Sequence, residues 1–187
     1  MLTIHDIKRT IIKGLYDEFG VKAIDADMLL NRRPNYPFVT IKVLSFDVTG
    51  EAGNYKAEFL DSLSDKFKYD LSESLEFEPT VTLSVQAVGN DEFEVRDIAD
   101  KLYSYFKFVG KPALDGINAV VVDAGGIQNR SVALMGDKVI EYVYGLDVRL
   151  RYLNTIERRS PDIESWNIGG KMGKNYFNIK GDIRDGK

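Results

Sequence analysis

Ile4, Ile7, Ile11, Leu15 and Phe19 recur at spacings of three and four. They therefore line one side of an α-helix over Thr3–Phe19. Thr3 followed by Asp6 reads as a capping box with Asp in place of Glu, and Gly20 as the C-terminal stop. Lys8, Arg9, Lys13, Asp17 and Glu18 supply the polar side. A short strand is expected at Val21–Ile24, then a loop from Asp25 to Pro37. Pro34 and Pro37 hold the end of that loop extended, because proline fixes its own φ and pushes the residue before it out of the helical region. In the strand Phe38–Thr49 the apolar phase changes: Val39, Ile41 and Val43 are odd, Leu44, Phe46 and Val48 even. With a side-chain period of two, that change marks a bulge or a bend.

Val81, Leu83, Val85 and Ala87 alternate with Thr82, Ser84 and Gln86, the pattern of a half-buried strand. Gly89-Asn90-Asp91 closes it and opens a second helix, with Asp91 and Glu94 as a box-like pair. Val95, Ile98, Ala99, Leu102 and Phe106 form the inner stripe, and Gly110-Lys111-Pro112 ends the helix. Asn118–Asp123 is a valine-rich strand stopped by Gly125-Gly126. Val139–Leu153 is the longest strand. Tyr142, Tyr144, Leu146, Val148, Leu150 and Tyr152 share one face, and Glu141, Asp147, Arg149 and Arg151 the other. A charged strand of that length is expected at a sheet rim or in a subunit contact.

Gly50–Pro79 departs from these patterns. It holds eight acidic residues against three lysines, a local charge of −5 where the whole chain carries −4. Its apolar residues, among them Phe59, Leu63 and Phe67, lack strict periodicity. The segment reads as a protruding acidic hairpin or loop arm. The expected organisation is one α+β domain over 1–155 with the arm 50–79 inserted, and an extended tail over 156–187. The fold class is a mixed, mainly antiparallel sheet with two helices packed on one face.

Composition changes this picture little. A chain of 187 residues buries roughly 70% of its unfolded surface without staples. It has no cysteine, which excludes disulfides and thiolate chemistry. A weakly negative chain argues against general polyanion binding. No signal peptide or membrane span is expected from the N-terminal residues.

Candidate chemistry is sparse, and no catalytic, cofactor-binding or metal-ligating set is assigned. His5 is the only histidine, without a nucleophile or second ligand signature. Asp25 with Asp27, and Asp91, Glu92 and Glu94, are paired carboxylates in a loop and at a helix start, where acids favour the dipole. Gly169-Gly170-Lys171-Met172-Gly173-Lys174-Asn175 fails the phosphate-loop spacing and reads as a flexible or clasping segment. The basic residues Arg32-Arg33, Arg158-Arg159, Lys171 and Lys174 fit interface or solubility roles. The tyrosines at 142, 144 and 152 fit packing better than base stacking. Candidate subunit or partner contacts are Glu58, Asp61, Asp65, Lys66, Arg149, Arg151, Arg158 and Arg159.

Three stretches carry a family resemblance: Arg33-Pro34-Asn35-Tyr36-Pro37-Phe38-Val39-Thr40-Ile41, Val81–Gly89, and Tyr144-Gly145-Leu146-Asp147-Val148-Arg149-Leu150-Arg151-Tyr152. With the leading helix, they make the chain resemble the tail-terminator or neck proteins of long-tailed bacteriophages. The resemblance implies a non-enzymatic virion protein without cofactor or metal, assembled in the host cytoplasm. It implies a hexameric ring of copies of the chain that stops tail-tube growth and meets the tail-tube protein and the head-completion connector. DNA would pass through the lumen without sequence-specific binding, and no membrane is involved. The alternatives are another phage neck or tail-tube component, or a small-ligand-binding or hydrolytic α+β domain.

Overall fold

The computed structural model describes residues 2–28, 34–47, 52–61, 63, 69–133, 140–161, 165–172 and 175–182. The chain divides into two compact units: Met1–Asn54 with Glu76–Thr155, and Tyr55–Leu75 with Ile156–Lys187. The architecture is mixed α+β with mostly antiparallel sheets.

In the first unit, helix α1 spans Ile4–Phe19. The reciprocal capping box forms: the Thr3 hydroxyl accepts from the Asp6 N–H, and the Asp6 carboxylate accepts from the Thr3 N–H. The Thr3 hydroxyl, which donates to the same carboxylate at 2.6 Å, and then the Thr3 N–H hold the Asp6 carboxyl below its usual range. Gly20 ends the helix at φ 66°, a left-handed conformation in which it meets no steric cost.

Strands β1 (Ala23–Asp25), β2 (Phe38–Asp47), β5 (Thr80–Gly89), β9 (Ile140–Tyr152) and β6 (Ala119–Ala124) form the main sheet in that spatial order. β7 (Gln128–Asn129) and β8 (Val132–Ala133) also pair with β9. Among the described residues of this sheet only β1–β2 is parallel; β2–β5, β5–β9 and β9–β6 are antiparallel. The expected irregularity in β2 is a register shift between Val43 and Ser45, with Leu44 as the extra residue. β6 has its own between Val121 and Asp123, with Val122 extra.

β9 corrects one expectation. It is not at the rim but lies between β5 and β6, with both of its sides hydrogen-bonded. Its length is explained by the number of partners it serves, since β5, β6, β7 and β8 all pair with it.

Helix α2 (Glu92–Ser104) is capped by the Asp91 carboxylate, which accepts from the N–H groups of both Phe93 and Glu94. It runs into a π-helical turn, Tyr105–Val109, and then a short helix α3, Lys111–Asp115. Pro112 stands in the first turn of α3, where its missing N–H costs nothing.

One core joins these elements. Ile7, Ile11 and Leu15 of α1 and Val95, Ala99 and Leu102 of α2 pack on the sheet face formed by Val39, Ile41, Leu83, Val85, Leu146, Val148 and Leu150. All are fully buried. Each large aliphatic side chain among them contributes roughly 1.5–3 kcal/mol by leaving water. Tyr105 and Phe106 extend this core edge to face, with ring centroids 5.3 Å apart.

In the second unit and the strand ends that enter it, β10 (Asn154–Pro161), β4 (Tyr69–Phe77) and β3 (Ala52–Asp61) form a three-stranded sheet in that order. β11 (Ser165–Met172) and β12 (Asn175–Asp182) form an antiparallel hairpin.

Candidate functional site

The antiparallel registers place every second residue of β5 and β9 on the face away from the helices. Thr82 lies opposite Arg149, Ser84 opposite Asp147, and Thr80 opposite Arg151. Arg130, from the segment between β7 and β8, reaches this far face. Its Nη1 donates to Ser84 Oγ at 2.6 Å, and its Nη2 donates to Gln128 Oε1 at 3.0 Å. The same Nη2 lies 3.0 Å from Asp147 Oδ1, an ion contact without hydrogen-bond geometry. Arg151 Nε stands 3.3 Å from Glu78 Oε2, both side chains about half exposed. Arg149 is exposed. The part of the far face formed by Thr80–Ser84 and Asp147–Arg151 is thus polar and charged, with one arginine fixed above it and two others facing solvent.

In the second unit, Glu73 accepts from the Tyr55 hydroxyl and from Arg158 Nε. The Arg158 hydrogen bond first, then the Tyr55 bond, holds the Glu73 carboxyl below its usual range. The Glu73 carboxylate in turn raises Tyr55 and Arg158 above theirs. Asp70 accepts from Arg159 Nε at 2.8 Å and from the Leu63 N–H at 3.2 Å. Arg159 Nη2 also donates to the Asp61 carbonyl. Arg158 and Arg159 are therefore engaged within the chain, whereas their sequence context alone suggests partner contacts. Glu58 and Asp61 are exposed on β3, as are Tyr55 and Phe59. Asp65 and Lys66 lie outside the described residues, as do Arg32, Arg33 and Lys174.

The other candidates resolve into structural roles. His5 is exposed in the first turn of α1. Asp25 accepts from Lys8 Nζ at 2.7 Å and, through its other oxygen, from the Asp27 N–H at 3.1 Å. Tyr144 and Tyr152 are buried in the core rather than presented for stacking. The Tyr144 hydroxyl donates to Glu92 Oε1 at 2.6 Å and accepts from Asn129 Nδ2 at 3.1 Å, and the Glu92 carboxylate raises its pKa. Gly169 and Gly170 sit inside β11. Among the described residues, no group of three or more His, Cys, Asp or Glu is arranged to hold a metal ion. A surface cleft of about 360 Å³ lies between the end of α1 and α2, where Lys22 and Lys101 face Glu94 and Asp97.

A scaffold of two helices on a mainly antiparallel sheet, with a charged far face, is what remains. A family model described as phage neck terminator protein matches residues 7–174, most of the chain. The chain belongs to the phage neck terminator family. No curated protein matches it. The family places the chain's role as structural, at the neck of the virion. No helix among its described residues is long and apolar enough to cross a membrane.

Sequence patterns do not reveal several of the chain's polar contacts. Lys8 falls on the polar side of α1 by spacing, yet it is buried. It borders the apolar stripe, four residues from Ile4 and Ile12, and that position is the available signal. Arg130 carries no signal, because its partners come from β5, β7 and β9. Asn154 bonds the backbone of Leu2 in both directions, donating to its carbonyl and accepting from its N–H.

Proposed function

We propose that this neck terminator assembles into a homo-oligomeric ring, a hexamer, at the head-proximal end of the tail tube. The ring stops tube polymerisation, joins the tail to the head-completion connector, and passes DNA through its lumen without sequence-specific contact. The family match over 7–174 carries this reading. The charged far face supports it, because a surface that meets copies and partners repeatedly needs many modest contacts, not one reactive centre. Arg149 and Arg151 on the far face and Glu58 and Asp61 on β3 are the proposed contacts. Arg158 and Arg159 tie β10 to β3 and β4 through Asp61, Asp70 and Glu73. In this reading residues 1–155 are the ring body, and the arm 50–79 and tail 156–187 reach neighbouring subunits. Assembly takes place in the host cytoplasm, before the virion is complete.

The test is electron microscopy with native mass measurement on the purified full-length chain, alone and with tail tubes. A closed ring with a lumen wide enough for duplex DNA is expected. A protein that stays monomeric under both conditions overturns the proposal.

A further inference from the structure

The main sheet ends in two unlike edges. β2 and β9 run in one direction, β5 and β6 in the other. The antiparallel run β2-β5-β9-β6 therefore starts in one direction and finishes in the opposite one. A second copy, placed by rotation about an axis along the strands, brings its β2 beside this β6 with antiparallel polarity. Parallel β1 covers β2 only at Val39–Ile41, so the outer side of Lys42–Phe46 has no strand partner among the described residues. The outer side of β6 has none either. Both edges expose apolar side chains: Leu44 and Phe46 on β2, Val120 and Val122 on β6. Such edges invite strand addition unless a partner takes them.

The two edges also match residue by residue. β2 and β6 each carry one extra residue, Leu44 and Val122. From Lys42 onward, β2 presents far face, helix face, the extra residue, far face, helix face. Read backwards from Asp123, β6 presents far face, the extra residue, helix face, far face, helix face. The two extra residues cancel. Lys42 then meets Asp123, Val43 meets Val121, Ser45 meets Val120, and Phe46 meets the small Ala119, with every pair on a common face. Lys42 lies in the row of Ser84 and Asp123 in the row of Thr82. The neighbour is thus displaced by two residues, an even step that keeps the faces aligned. Lys42 and Asp123 are both exposed and form no ion pair among the described residues, so the contact also joins opposite charges.

We propose that β2 of one copy pairs with β6 of the next in this antiparallel register, so that neighbouring sheets are continuous around the assembly. This rests on the ring reading above and names its subunit contact. Heterologous pairing of this kind closes when the rotation closes.

The chain has no cysteine, so introduced pairs report cleanly. Directly opposed residues in an antiparallel pair stand within disulfide range. The full-length double variant Ser45→Cys with Val120→Cys should give, on oxidation, a covalent ladder ending at the ring number. A mixture of the two single variants should give linked dimers, and neither single variant alone should cross-link. Lys42→Glu should abolish rings while leaving the thermal midpoint of the monomer unchanged. Rings seen by microscopy without a ladder, or rings unaffected by Lys42→Glu, overturn this contact and leave the ring reading standing. Cross-linking by Ser45→Cys alone also overturns it, since that reports a two-fold β2–β2 pair. A wild-type chain that forms no ring overturns the contact and the ring reading together.

Discussion

Tyr105 fills the space between two glycines, and that packing predicts an asymmetric pair of mutational effects. Its ring is fully buried, and its hydroxyl has no hydrogen-bond partner among the described residues. Burial first, then the nearby Glu18 and Asp17 carboxylates, pushes its pKa up to about 12. A methyl group at Gly14 would overlap the hydroxyl oxygen and stand 2.9 Å from Cζ. A methyl group at Gly110 would overlap the ring itself, reaching 2.7 Å from Cε2.

Gly14 is inside α1, where Ala would ordinarily stabilise by about 1 kcal/mol. Overpacking costs about 1–3 kcal/mol. Gly14→Ala is therefore expected to destabilise by up to ~2 kcal/mol, a fall in thermal midpoint of roughly 4–8 °C for a chain of this size. Tyr105→Phe removes the overlapping oxygen and an unpaired buried hydroxyl, and should stabilise by ~1 kcal/mol. In that background Gly14→Ala should be close to neutral, a coupling of ~1–2 kcal/mol. Gly110→Ala should cost the same with Tyr or Phe at 105, because it meets ring carbons. The assay is urea and thermal unfolding of the four-variant cycle at each glycine. Stabilisation by Gly14→Ala in the wild-type background, or equal rescue at Gly14 and Gly110, would refute the packing described.

The same geometry sets three further outcomes. Lys8 and Asp25 form a nearly buried pair, so Asp25→Ala should cost ~3 kcal/mol by leaving the buried ammonium only the exposed Asp27 carboxylate 3.9 Å away; Lys8→Met, measured by the same urea titration, should cost less. Leu102→Ala in the fully buried stripe should cost ~2–5 kcal/mol, and an unchanged midpoint would put that face of α2 in solvent. Glu73 is held below its usual pKa, so its contribution is complete above the unfolded carboxyl's pKa and fades as pH falls through the lowered value; Glu73→Gln should flatten that acid limb, read by the Tyr55 environment in near-ultraviolet spectra.

The elements legible in the sequence are those set by local spacing. The 3–4 periodicity of Ile7, Ile11 and Leu15, the Thr3–Asp6 box, the Gly20 stop and the phase change at Leu44 each depend on neighbours within a turn or a pleat. Features that depend on pairing across the chain are not legible in this way. Nothing local distinguishes Arg159, bonded to a partner 89 residues away, from an arginine in solvent. The same holds for the central place of β9: a charged face marks one exposed side but does not say whether the strand's edges are paired. The π-helical turn at Tyr105 and the short α3 escape sequence reading because Gly110-Lys111-Pro112 signals the end of α2 but carries no periodicity from which another helix could be read.

The most direct measurement of the central claim is tail length by electron microscopy in phage lacking this gene, with and without complementation. As a neck terminator, its loss should give overlong tails that carry no head, and the wild-type chain should restore uniform, joined tails. His5→Ala should restore them equally. Normal joined tails in its absence, or failure of His5→Ala alone among the surface variants, would contradict the structural role and point to chemistry at that histidine.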